Sequence, residues 1–223
     1  MTVVLVVLSL AILIVIVYMM RRKKVTVTEL ENAASGAIPK AQLECASGIR
    51  LPGNVRFHLG HTWALRESPT LVRVGIDDLA ARMIGRPDSI LLPRRGQWIR
   101  QGQKIFSIFK EGSKVELLSP IEGEVTSVNE AVVKDPSLLD SDPYGDGWLL
   151  TVVSPDAETN FRNLLGGNLA RKWMVDEASR LSTKMPASIP VAVHHNGDEN
   201  SEVSSPQISG QNWIELTHEF FGV

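Results

Sequence analysis

Cysteine is almost absent: Cys45 is the only one in 223 residues. That excludes an intramolecular disulfide framework and fits a reducing compartment. Cys45 lies in a small, polar stretch with no histidine beside it, so nothing there activates the sulfur, and it reads as a passive thiol. Net charge is nearly missing too. Twenty-three Lys and Arg oppose 25 Asp and Glu, leaving -2, whereas a nucleic-acid binder would carry a basic face or stripe. Walker loops, a GxSxG elbow and a catalytic triad are all lacking. Asp140, Asp142 and Asp146 surround a turn, but without the spacing and terminal Glu of a calcium loop. His58 and His61 stand three apart with no second pair of ligands near in sequence, and the tandem His194-His195 lies in a polar tail. No catalytic residue and no metal site are expected, so the chain does not read as an enzyme.

What is present begins with a charge-free run over residues 3–20, rich in Val, Leu and Ile. As a helix it reaches about 27 Å, close to the ~30 Å hydrocarbon core of a bilayer. A helix is the single segment that satisfies its own backbone in lipid, so the β-branched content is no obstacle. A cleaved signal peptide would carry its cations before the apolar core and a small-residue site after it. Here Tyr18 and then Arg21, Arg22, Lys23 and Lys24 follow the run, so it reads as an uncleaved, single-pass anchor. Cations beside a span stay on the cytoplasmic side, which predicts an inner-membrane protein with its amino terminus facing out and residues from Arg21 onward facing the cytoplasm.

Residues 25–56 read as a tether broken by Ser35-Gly36, Pro39, Ser47-Gly48 and Pro52-Gly53. From residue 57 the texture changes to short apolar stretches separated by turn signals: 71–74, 90–92, 104–109, 115–118, 124–128 and 148–153. This spacing predicts an all-β sandwich or flattened barrel. A short helix is predicted over residues 77–84, capped by Asp77 or Asp78. A second is predicted from residue 157 to about 181, with Gly166-Gly167 breaking or kinking it midway. Residues 182–223 read as a disordered tail ending in an apolar motif on helical spacing: Trp213, Ile214, Leu216, Phe220 and Phe221.

Motifs narrow this further. Residues 96–106 and 119–125 resemble the two halves of a biotinyl/lipoyl hammerhead, each entered through a glycine or proline turn. His61-Thr62-Trp63 resembles the His-Glu-Trp of the glycine cleavage system H-protein family. Val74-Gly75-Ile76-Asp77-Asp78-Leu79-Ala80 resembles its Val-Gly-Ile-Thr-Asp-x-Ala step. Val128-Asn129-Glu130-Ala131 and Ser141-Asp142-Pro143-Tyr144-Gly145-Asp146-Gly147-Trp148-Leu149 follow the family almost residue for residue. The likeness covers residues 57–175. It implies a mainly β hammerhead of two antiparallel sheets with flanking helices, spanning about 57–181 after a 1–24 anchor. Asp142-Pro143 and the glycines at 145 and 147 are expected to supply the fixed and positive φ of tight turns.

The resemblance implies a lipoyl carrier, whose lysine stands seven residues before the serine of the Ser-Pro turn. Counting back from Ser119 gives Gly112. Glycine has nothing to acylate and suits a positive-φ turn. Lys110 and Lys114 flank it, each two positions off, and read as solvated hairpin charges. The expectation is an unlipoylated module that binds protein partners at the membrane, with the 213–221 motif as a second docking peptide. The alternative is a lipoyl or acyl carrier modified on Lys110 or Lys114.

Overall fold

In the computed structural model of the chain, residues 43–184 and 211–222 are described. The apolar run with its basic flank, the first part of the tether (25–42) and the tail segment 185–210 lie outside the described residues, as do His194 and His195. Among the described residues, no helix is long and apolar enough to cross a membrane.

The eleven described strands are β1 (Leu43–Ala46), β2 (Ile49–Pro52), β3 (Arg56–His58), β4 (Thr62–Arg66), β5 (Leu71–Ile76), β6 (Ser89–Leu91), β7 (Trp98–Ile99), β8 (Lys104–Lys110), β9 (Ser113–Leu118), β10 (Gly123–Val128) and β11 (Leu150–Val153). They form a six-stranded sheet in the order β3-β4-β5-β11-β10-β7, a three-stranded sheet β6-β8-β9 and the pair β1-β2. Every pairing is antiparallel. The architecture is mainly β, with the two larger sheets as expected. The third, two-stranded unit corrects part of the tether reading. Ser47-Gly48 is the turn of a hairpin in the fold, and Ile49, Leu51 and Val55 are buried.

β5 explains the order of the large sheet. All six of its residues are buried because β4 and β11 flank it and both of its faces are covered. Even Arg73 is enclosed there, ion-paired to Glu67 and lying 5.7 Å from the centre of the Trp148 ring. Opposite Gly75 in the register stands Trp63. Its ring lies so close that a Cβ at residue 75 would fall 2.5 Å from it, while its indole N–H donates to Pro143 O at 3.2 Å.

Six helices are described: α1 (Asp78–Ile84), α2 (Glu130–Lys134), α3 (Leu138–Ser141), α4 (Ala157–Arg162), α5 (Gly167–Lys184) and α6 (Gln211–Phe221). Asp77 is the N-cap of α1, its Oδ1 accepting the Ala80 N–H at 2.8 Å. Residues 163–166 separate α4 from α5, as the paired glycines suggested. There Leu165 and Phe57 exchange two 2.8 Å backbone hydrogen bonds that tie the break to β3. Two tail expectations are corrected: α5 runs on to Lys184, and the terminal apolar motif is a helix buried on its own domain through Trp213, Leu216, Phe220 and Phe221.

The 142–147 turn is also built differently from expectation. Gly145 and Gly147 are not among the positive-φ residues. Glycine is required there by close approach. A Cβ at 145 would fall 2.0 Å from Asp142 Oδ2, and one at 147 would fall 2.5 Å from Leu138 O. The Asp142 carboxylate accepts the N–H groups of Gly145 and Asp146 at 3.1 and 3.2 Å, so its role is to hold a loop.

Candidate functional site

The β8–β9 hairpin carries the position of interest. Lys110 pairs with Ser113, leaving Glu111-Gly112 as a two-residue loop. Both have positive φ, 50° and 74°, the signature of the tight turn whose twist matches its strands. Asp88 pins the tip: its Oδ2 accepts the Glu111 N–H at 2.7 Å, and its own N–H donates to Phe109 O at 2.8 Å. Gly112 is exposed, with open space where a Cβ would point. The tip therefore has the shape of a presented loop and no amine at residue 112.

The two flanking lysines differ sharply. Lys114 is exposed and hydrogen-bonds Glu116 Oε1 at 2.7 Å, which holds the Glu116 carboxyl below its usual range. Lys110, expected to be a solvated charge, is 8% exposed. Its Nζ donates to Ile84 O at 2.8 Å and sits 5.8 Å from the centre of the Trp213 ring. Burial pushes its pKa down, partly offset by Glu111, Asp88 and Asp140. The physical reason is the end of α1, where terminal carbonyls lack intrahelical partners. Lys110 takes Ile84 O, and the Trp213 indole N–H takes Met83 O at 3.0 Å. Hairpin, helix α1 and tail helix α6 thus close on one point. The helical spacing of the tail aromatics was legible in sequence, but a contact across 130 residues was not.

A second cluster lies just before β4, where His61 meets side chains of α5 and α6. His61 is fully buried at φ 57°, with Nδ1 2.9 Å from Asp77 Oδ2. Its ring stacks on Trp173 at 4.9 Å and meets Phe221 edge-on at 5.8 Å. Asp77 therefore caps α1 with one oxygen and orients His61 with the other. His61 is a core residue of this packing, and no group of three or more potential ligands for a metal stands among the described residues.

His58 accepts the Gly60 N–H on Nδ1 at 3.0 Å, so its ring is built to be neutral there. Burial, helped by nearby His61, pushes its pKa below the usual value. The unfolded chain thus takes up this proton first. Stability should fall as pH drops from about 6.5 toward the folded-state pKa, and level off below it. Denaturant melts between pH 8 and pH 5 check this, and His58→Gln should remove that share of the slope.

A third constellation joins the β1–β2 hairpin to the body. The buried Asp78 carboxylate accepts the Arg50 backbone N–H at 2.9 Å, Arg50 Nε at 2.7 Å and Arg82 Nη2 at 2.9 Å. Tyr144 Oη donates to Arg50 O at 2.9 Å and accepts the Asp78 N–H at 3.2 Å. Burial holds the Tyr144 hydroxyl well above its ordinary pKa, with Asp77 adding to the effect. In sequence Tyr144 is one residue of a turn motif, and its bonding partner Arg50 lies in the stretch that reads as a tether.

These features together describe a lipoyl-type β domain with an exposed, amine-free hairpin tip. The family model for the glycine cleavage H-protein matches residues 55–177. The chain belongs to that family. It is 36% identical over 107 residues to the glycine cleavage system H protein of Mycobacterium avium (strain 104), covering 48% of this chain and 81% of that protein. To the glycine cleavage system H protein of Legionella pneumophila (strain Corby) it is 33% identical over 124 residues, covering 56% and 98%. The crystal structure of a glycine cleavage system H protein from Mycobacterium marinum covers 57% of this chain and 99% of that one, at 26% identity and TM-score 0.47.

Proposed function

We propose that this chain is a membrane-anchored, unlipoylated H-protein-like module that binds protein partners at the cytoplasmic face of the membrane and catalyses nothing itself. One observation carries the reading: the hairpin that would present the lipoyl lysine ends in Gly112, at φ 74° in open space. Its neighbour Lys110 is committed to Ile84 O beneath the tail helix. The residues present do not fit a lipoyl group at the family position. Anchoring rests on the apolar run 3–20 and its four following cations. Lys114, the one exposed lysine of the two, supports the second reading, a carrier modified two residues past the tip. An intact-mass measurement on full-length chain from its native host separates the two. The expected result is the mass of the sequence alone; an added lipoyl or acyl mass that disappears in Lys114→Arg overturns the binding-module reading.

A further inference from the structure

Sharing no lining residue with the hairpin tip, an open cavity of about 430 Å³ lies between the β2–β3 connection, the end of β4 and helix α4. Its lining includes Arg56, Arg66 and Arg162 against a single carboxylate, Glu158. That leaves an excess of two positive charges in a space within the ~300–1,000 Å³ typical of small-molecule sites. Three arginines around one hollow repel each other, so the arrangement calls for a counter-charge that the protein supplies only in part.

Two of the guanidinium groups, those of Arg66 and Arg56, are held in place by their contacts. Arg66 bonds Glu158 Oε2 at 2.9 Å and lies 4.5 Å over the Phe161 ring. Arg56 lies against Gly166, where a Cβ would fall 2.5 Å from its Nε. The paired bonds between Phe57 and Leu165 fix that approach. The Arg56 guanidinium makes one long bond, from Nη1 to Val55 O at 3.4 Å. Among the described residues no carboxylate forms an ion pair with Arg56 or Arg162. A positioned guanidinium with spare donors is a fork for an oxyanion, which it can engage through two parallel N–H···O bonds. Phe161, half-buried, adds an apolar wall beside them.

We propose that this cavity binds a small organic oxyanion, a phosphate monoester or a dicarboxylate, gripped by Arg56 and Arg162 with its carbon skeleton against Phe161. Arg66 is the inner wall, its charge already matched by Glu158. The site stands apart from the hairpin and does not depend on whether the chain is lipoylated.

The test is a titration of the full-length chain, followed through the arginine Nε–H resonances and the Asn54 amide, with phenyl phosphate, succinate and inorganic phosphate. Saturable shifts are expected with phenyl phosphate or succinate at a Kd on the order of 1 mM, and whichever saturates at lower concentration names the ligand class. The affinity should fall as salt rises. Arg56→Gln and Arg162→Gln should each weaken binding about tenfold with an unchanged melting temperature. Glu158→Gln should tighten it severalfold, because the competing carboxylate is gone. The proposal is overturned if no titrant saturates, if inorganic phosphate binds as tightly as phenyl phosphate, or if both arginine variants bind like the parent.

Discussion

Asp78→Ala should destabilise the domain by about 3 kcal/mol, near the lower end expected when one member of a buried charge cluster is removed. Its carboxylate is fully enclosed and accepts from the Arg50 backbone, the Arg50 side chain and Arg82. Alanine would remove the carboxylate from two guanidinium groups, leaving them only carbonyl acceptors, and would take the acceptor of the Arg50 backbone N–H. Arg50 and Arg82 keep partial access to water, with side chains 31% and 24% exposed, which is why the loss should not reach the top of the range. For a domain of this size, such a change lowers the melting temperature by roughly 6–12 °C. Faster amide exchange should follow along β1 and β2, which lose their tie to α1. A loss below about 1 kcal/mol in urea unfolding would mean that the hairpin is held by its apolar contacts alone.

Gly112→Lys should make the chain a substrate for a lipoyl ligase, with the natural sequence expected to stay bare. The open space at residue 112 accommodates a side chain. The cost is backbone: a lysine at φ 74° loses about 1 kcal/mol, which the folded domain can bear. Neither strand of the hairpin needs to move, since the Lys110–Ser113 pairing and the Asp88 contact to Glu111 N–H involve no atom that the new side chain replaces. Mass spectrometry after incubation with ligase and lipoate reads the result directly. Modification of the variant and not of the natural chain is expected. Modification of the natural chain at Lys114 would restore the carrier reading. A variant that stays bare would show that the surrounding tip has lost the shape a ligase requires.

Much of the frame was legible because it rests on local signals. The apolar stretches and their turns foretold β5, β8, β9 and β10 to within a few residues, and Asp77 with its apolar followers foretold α1. Two short helices, α2 and α3, went unread; at five and four residues they leave almost no periodicity to detect. The β1–β2 hairpin was hidden because its four-residue strands are separated by Ser47-Gly48, which reads equally well as a linker break. Lys110 was misread for a different reason. Lysine is exposed by default, and only the meeting of the end of α1 with Trp213 supplies the acceptor and the cover that bury it. The arginine cavity was equally out of reach, since Arg56, Arg66 and Arg162 come from three separate stretches of chain.

The contact between Trp63 and Gly75 also constrains how this sequence can drift. The indole occupies the place a Cβ at residue 75 would need, so any side chain there would collide with the ring. The reverse change, a smaller residue at 63, opens a void in the core at a cost of about 3–5 kcal/mol. Each single step is therefore blocked, while a double exchange that moves bulk from one strand to its neighbour keeps the volume filled. In a lineage these two sites should change together or stay fixed together.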